Sequence, residues 1–187
     1  MTGTEKVLLV AGAAGLVALA ASRTDKGAAV AADVLGEISV AATKVGTALG
    51  FVRGIRNNNP GNIDWIPNPD ARWRGMIRKE TRDDVPPGVT PRFGIFDTAA
   101  NGVRAIGGEL RASIRKGHTI RQAINEWAPP VENDTGRYVT LFAKAVGAHP
   151  DARLTSEMIP AGTLEIIRHE NGQQPYDPAA VHQWVNS

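Results

Sequence analysis

Apolar positions recur at three- and four-residue spacing over most of the second half of the chain. This spacing predicts helices at residues 98–116, 120–127, 135–146, 163–170 and 178–185. Polar residues that accept hydrogen bonds from the first backbone amides precede these runs, and Gly or Pro follows several of them. Asp97 is the expected N-cap of the first helix, Thr119 of the second, and Asn133 or Asp134 of the third.

Residues 53–97 lack the helical period and are rich in Asn, Pro, Gly, Arg and Asp. Short apolar runs near residues 63–66, 73–77 and 93–96 predict short strands. The run from Asn57 to Asn62 predicts tight turns, because Asn and Gly tolerate left-handed backbone conformations and Pro fixes φ. The chain is therefore expected to be mainly α, in the α+β sense: a helical domain with a small irregular β lobe.

Residues 1–52 differ in kind from the rest of the chain. Residues 7–22 are uncharged and rich in Ala, Val, Leu and Gly, but they fall short of the roughly 18–20 apolar residues that span a bilayer. Residues 28–52 continue with small apolar residues that suit close helix packing. We therefore predict an apolar α-helical arm at 1–52 and a second domain at 53–187. A secretory signal, a membrane anchor and a helix buried against other subunits all remain open for the arm.

Composition excludes several classes of function. The net charge of +2, with Arg and Lys interspersed among Asp and Glu, does not predict specificity for nucleic acid. The chain has no Cys, its 4 His lack metal-ligand spacing, and it carries no glycine-rich phosphate loop. We therefore expect no cofactor and no metal, with the chemistry carried by carboxylates, amides and aromatic rings.

Glu170 is the candidate general acid. It shares a helical face with Thr163, Ile166 and Ile167, so packing of that face leaves Glu170 at the rim, just before the stop signal at Gly172. Partial burial and the negative end of the helix dipole both favour the neutral form of a carboxyl group there, which a general acid needs. A solvated glutamate in a frayed last turn is the alternative.

Four segments of the chain together form a recognisable combination of motifs. They are RNNNPGNI from residue 56, RFGIFDTAANGVRAIGGEL from residue 92, INEWAPPVENDTGRYV from residue 124, and IIRHENG from residue 166. Their combination, over residues 53–185, is similar to the peptidoglycan-degrading enzymes carried in phage particles, which are lysozyme-like muralytic enzymes or lytic transglycosylases. The resemblance implies a lysozyme-like fold that needs no cofactor and acts on the bond between aminosugars.

The order of motifs also resembles that of bacterial glucosaminidases: NNPGN, a W-x-G strand, FDT, and then D-T-x-x-Y. In that family the helix that carries the catalytic glutamate comes before the Asn-rich segment. Here a Glu-Asn-Gly helix instead follows that segment, as if the order had been permuted. The resemblance implies that Glu170 is the general acid, which its position at a helix end also indicates.

The candidate substrate-binding residues are side chains that suit sugar hydroxyl and N-acetyl groups. They are Asn58, Asn59, Asn62, Trp65, Glu132, Asn133, Tyr138 and Asn171. Turn formation, core packing and helix capping are the structural alternatives for these residue types. Trp73 and Trp127 are further candidates for stacking on sugar rings, and His169 is given no role.

A hydrolase would need a second carboxylate, whereas a lytic transglycosylase needs only Glu170, acting first as acid and then as base. The candidates for that second group are Asp64, Glu80, Glu132 and Asp134.

These observations predict a peptidoglycan-cleaving enzyme of a phage particle that opens the cell wall during genome entry. It would act in the host periplasm on glycan strands. Residues 1–52 would attach it to an internal virion membrane or to proteins of a tail or ejection assembly. The alternatives are a non-catalytic structural or cell-wall-binding virion protein with a lysozyme-like fold, and a secreted bacterial autolysin.

Overall fold

A computed structural model describes residues 52–130 and 134–187. Its helices are α1 (Arg53–Arg56), α2 (Ala99–Arg115), α3 (Ile120–Trp127), α4 (Thr135–Ala145), α5 (Ile159–Asn171) and α6 (Pro178–Val185). Its strands are β1 (Met76–Lys79) and β2 (Gly94–Phe96), and short 3₁₀ turns lie at Pro69–Ala71, Arg82–Asp84 and Ser156–Met158. The prediction of a mainly helical chain with a small β lobe is confirmed.

The predicted arm at 1–52 lies outside the described residues except for Val52, so its nature and the domain boundary stay predictions. Within residues 52–130 and 134–187, none of the helices combines the length and the apolar character that crossing a membrane requires.

The helix ends follow local sequence signals. Thr119 and Gln122 form a capping box at the start of α3, and Asp134 accepts a hydrogen bond from the backbone N–H of Arg137 at the start of α4. The predicted cap of α2 was wrong by one residue. Thr98, not Asp97, accepts from the N–H of Asn101, because the Asp97 carboxylate is drawn to the side-chain amide of Asn101 at 2.6 Å.

Helix α5 is the central element of the helical domain, with α1, α2, α4 and α6 packed against it. Its predicted apolar face is confirmed: Thr163, Ile166 and Ile167 are 0% exposed. Gly172 follows the helix in a left-handed conformation (φ 65°), which is the predicted stop. The packing of this face fixes the last turn of α5 and leaves Glu170 half-buried at the rim.

The β lobe is an antiparallel pair in which Met76 faces Phe96 and Lys79 faces Gly94, with a bulge after Met76. The strand predicted near residues 93–96 is confirmed, whereas the run at 73–77 becomes a strand only from Met76. Trp73 instead lies against Gly108 of α2. The run at 63–66 forms an isolated bridge between Asp64 and Phe93 rather than a strand.

A buried carboxylate, Glu80, joins three segments of the lobe. It accepts hydrogen bonds from the guanidinium of Arg53 (2.7 Å) and the amide of Asn57 (2.7 Å), and from the backbone N–H groups of Arg92 (3.2 Å) and Phe93 (3.0 Å). Burial alone would raise the pKa of this carboxyl group, but the hydrogen bonds, led by that of Arg53, hold it below its ordinary value. Glu80 therefore anchors the start of the Asn-rich segment to the lobe.

Replacing Glu80 with glutamine is expected to cost about 3 kcal/mol of unfolding free energy at neutral pH, because Arg53 loses its anionic partner. The folded-state pKa of Glu80 is lowered, so its stabilisation is fully present above the unfolded pKa and is lost as pH falls through the folded pKa. In urea unfolding, the difference in unfolding free energy between wild type and Glu80→Gln should therefore become smaller below about pH 4. Asp83→Asn, at an exposed neighbouring position, is the control. A difference that stays constant in acid would contradict the assignment.

Candidate functional site

Glu170 lies in the wall of a groove of about 340 Å³. The Asn-rich segment, the residues before β2, helix α2 and the end of α3 form the rest of the wall. The lining residues are Gly61, Asn62, Ile63, Asp64, Arg92, Phe93, Glu109, Leu110, Ala112, Ser113, Lys116, Ala123, Glu126, Trp127, Ala128, Pro129 and Glu170. The end of α5 thus meets a groove with both apolar and charged walls.

Three neutral donors from three parts of the chain hold the Glu170 carboxylate. Asn62 donates its side-chain N–H to Oε2 at 3.0 Å. The indole N–H of Trp127 (3.2 Å) and the hydroxyl of Tyr138 (3.3 Å) both donate to Oε1. A carboxylate has about four lone-pair positions, two on each oxygen. Oε1 is therefore fully used by these donors, and Oε2 keeps one position that no residue in the described part of the chain fills.

Tyr138 is 1% exposed and reaches Glu170 from inside the helical domain. Burial, followed by the nearby Glu170 carboxylate, raises the pKa of its phenol far above the ordinary value. The hydroxyl therefore stays protonated and remains a donor. Tyr138 was a candidate for contact with the substrate, with core packing as the alternative; its ring is buried in the core and its hydroxyl donates to Glu170.

His169 stacks on the Tyr138 ring, with 3.6 Å between ring centroids and 13° between planes. No role was predicted for His169, because its position on the helix is turned away from that of Glu170. The contact depends on how α4 packs against α5, which spacing along one helix does not reveal.

Of the five candidate asparagines, the structure describes four, and only Asn62 of these donates to Glu170. Asn62 lines the groove, whereas Asn58 donates to the carbonyl of Phe96 at 3.1 Å. Asn59 is 0% exposed and donates to the carbonyls of Ile63 and Gly94, both at 2.8 Å.

Asn171 is buried at the end of α5. It donates to the carbonyl of Pro60 at 2.7 Å and to that of Ile167 at 2.8 Å. The contact with Pro60 ties the Asn-rich segment to the helix that carries Glu170.

Of the aromatic candidates, only Trp127 lines the groove. Trp65 instead packs under the guanidinium of Arg72, 4.0 Å from the ring centroid. The indole N–H of Trp73 donates to Glu109 at 3.1 Å. Trp127 had been expected to stack on a sugar ring, and its N–H donation to Glu170 was not foreseen.

The candidates for a second carboxylate have different surroundings. Asp64 lines the groove and pairs with Arg92 at 2.7 Å, whereas Glu80 is held inside the β lobe and Asp134 caps α4. Glu132 and its neighbour Asn133 lie outside the described residues.

Sequence reasoning missed two carboxylates that line the groove, Glu109 of α2 and Glu126 of α3. Glu109 accepts from Trp73, and Glu126 pairs with Lys116 and lies 3.3 Å from His118. Glu109 comes directly before the buried Leu110, so it borders the apolar stripe of α2. This position at the edge of the packed face is the signal that could have identified it. Within residues 52–130 and 134–187, no three His, Asp or Glu side chains gather as metal ligands do.

Asn62 and Asn58 offer a matched pair of substitutions. Both adopt positive φ (50° and 51°), so glycine fits either position without strain. Asn62→Gly is expected to lower the kcat of any reaction that uses Glu170 by roughly tenfold, since it removes the donor on Oε2. Asn58→Gly should stay within about twofold of wild type. If steady-state assays show the same loss of kcat in both variants, the loss comes from a change in the Asn-rich segment and not from removal of the amide that donates to Glu170.

No family model matches the chain. It is similar to Protein P5 of Pseudoalteromonas phage PM2, with 35% identity over 126 residues. The match covers 66% of this chain and 74% of that protein. Identity of this level and extent indicates common descent.

Proposed function

This chain belongs to the family of Protein P5 of Pseudoalteromonas phage PM2, and from that premise we propose that it is a virion enzyme that cleaves the glycan strands of peptidoglycan. The observation that carries the proposal is the Glu170 carboxyl group, which is half-buried in a groove, held by three donors and left with one lone pair that no described residue occupies. The motifs shared with phage muralytic enzymes, and the lysozyme-like fold that they imply, support the choice of substrate.

In the proposed reaction, Oε2 of Glu170 carries the proton and gives it to the oxygen that links two aminosugars. The bond from that oxygen to the sugar C1 breaks, and positive charge develops on the ring in an oxocarbenium-like transition state. Asn62, Trp127 and Tyr138 keep the carboxylate in place through this step, because each can donate whether or not Oε2 is protonated.

Two routes complete the reaction. In a lytic transglycosylase, the C6 hydroxyl of the same muramic acid attacks C1 and returns its proton to Glu170, which leaves a 1,6-anhydro product. In a hydrolase, a second carboxylate directs a water molecule instead. Among the residues that the structure describes, the other groove carboxylates are Asp64, Glu109 and Glu126, and each is engaged by a cation or an indole N–H. That engagement favours the route that needs Glu170 alone.

The place of action follows from the same proposal. Residues 1–52 would attach the enzyme to an internal virion membrane or to proteins of a tail or ejection assembly, and the enzyme would open the wall in the host periplasm during genome entry. The family relationship to a phage protein and the apolar composition of these residues support this assignment.

The test is to incubate the full chain with purified Gram-negative peptidoglycan and to analyse both the soluble fraction and the sediment. Release of 1,6-anhydro muropeptides, identified by mass spectrometry, is the expected result. Release of fragments with reducing ends would support glycan cleavage but would identify the enzyme as a hydrolase. Protein that sediments with the glycan without releasing fragments would favour the non-catalytic wall-binding alternative and overturn the proposal.

A further inference from the structure

Two consecutive residues of α5 contact Tyr138 at different parts of its side chain. Residues next to each other on a helix point about 100° apart. His169 covers the face of the Tyr138 ring, at a centroid distance of 3.6 Å, while Glu170 accepts from the hydroxyl at its edge. The last turn of α5 therefore fixes both the plane of the phenol and the end point of its O–H bond.

The hydroxyl contact is sensitive to small movements of the ring. The Tyr138 oxygen lies 3.3 Å from Oε1 of Glu170, whereas hydroxyl hydrogen bonds are usually about 2.7–2.8 Å long and weaken quickly beyond about 3 Å. A tilt of the ring that moves the oxygen by a few tenths of an ångström outward therefore breaks this bond. His169 covers the ring face against such a tilt, and its own ring is only half-buried.

We propose that His169 is a positioning residue: its stacked ring holds the Tyr138 hydroxyl on Oε1 of Glu170. The consequence for the reaction rests on the proposed function. With Tyr138 and Trp127 both donating to Oε1, the proton is kept on Oε2, which accepts from Asn62 alone among the described residues. Without the stack, Oε1 regains a lone pair, so the proton is shared between the two carboxyl oxygens instead of being kept on Oε2.

The stack requires an aromatic ring but not specifically an imidazole, so the kinetic test compares a variant without a ring at residue 169 with one that keeps a ring. His169→Ala is expected to lower kcat on solubilised glycan strands by about tenfold, with KM within about twofold of wild type. His169→Phe should restore most of kcat, because it keeps the ring. His182→Ala, at an exposed position on α6, is the matched control and should behave as wild type.

Thermal unfolding of each variant separates loss of positioning from loss of fold. A His169→Ala chain that keeps its midpoint and its kcat overturns the inference. It is also overturned if His169→Phe is as impaired as His169→Ala, or if only KM changes.

A second measurement does not depend on catalysis. The chain has 2 tyrosines, Tyr138 and Tyr176, so labelling tyrosine with ¹³C at Cζ gives two resonances, which Tyr176→Phe assigns. Glu170→Gln should shift the Tyr138 resonance, because the hydroxyl changes its acceptor. His169→Ala should also shift this resonance, and His169→Phe should leave it near the wild-type position.

The two measurements keep the two proposals apart. If the wild-type chain cleaves no glycan, the proposed function fails while the NMR result still decides whether His169 positions Tyr138. If the wild-type chain is active but the Tyr138 resonance does not shift in His169→Ala, only the positioning role of His169 is overturned.

Discussion

Glu170→Gln is expected to lower kcat for glycan cleavage by about 1000-fold while leaving KM within a few-fold of wild type. Glutamine has the same shape, and its carbonyl oxygen still accepts from Trp127 and Tyr138. It has no carboxyl proton to give to the leaving oxygen. A 1000-fold loss corresponds to about 4 kcal/mol of barrier, within the range expected of general acid catalysis.

The measurement is the initial rate of muropeptide release from peptidoglycan by equal amounts of the full-length proteins. Glu157→Gln, at an exposed position in the 3₁₀ turn before α5, is the control and should match wild type. Far-UV circular dichroism and thermal unfolding confirm that the variants are folded. Activity in Glu170→Gln above one tenth of wild type would remove Glu170 from its assigned role.

Gly102→Ala is expected to destabilise the folded chain by more than about 4 kcal/mol. Gly102 lies near the start of α2, where a Cβ atom would come 1.8 Å from the carbonyl oxygen of Asn58 and 3.1 Å from Cδ of Pro60. The nearest atom belongs to the backbone, so no change of rotamer relieves the overlap. Either α2 or the Asn-rich segment must move, and Asn62 moves with that segment away from Glu170.

Urea unfolding followed by circular dichroism measures this loss, and cleavage activity should disappear with it. Gly136→Ala is the matched control, because a Cβ at Gly136 in α4 meets only a side-chain oxygen of Asp134 at 3.9 Å. That substitution should raise the free energy of unfolding by about 0.5–1 kcal/mol, because alanine has a higher helix propensity than glycine. If Gly102→Ala unfolds at the same urea concentration as wild type, the close approach of α2 to Asn58 is not rigid.

The helical part of the fold was predictable because its signals are local. Periodicity along α5 placed Thr163, Ile166 and Ile167 in the core and Glu170 at the rim, and Gly172 marked the end. Such features depend on residues within one or two turns of each other. The short strands were less well predicted, since Trp73 is held by α2 rather than by a neighbouring strand.

The partners of Glu170 were only partly predictable. Asn58 and Asn62 have the same side chain, lie in the same segment and adopt nearly the same φ, yet only Asn62 reaches Glu170. The difference is set by where α5 and β2 lie relative to the segment. The same reason explains why Glu109, Glu126 and the stacking of His169 were missed, because each depends on which helix faces meet.

The hydrogen bonds to Glu170 span 108 residues from Asn62, 43 from Trp127 and 32 from Tyr138. The bond from Asn171 to Pro60 spans 111 residues. Loops of this length must close before any of these bonds forms, and the conformational entropy of closure is lost first. A chain still emerging from the ribosome can form α2, α3 and α4 from local contacts, but the carboxyl group has no donors around it until α5 returns to the Asn-rich segment. The arrangement around Glu170 is therefore absent from incomplete chains.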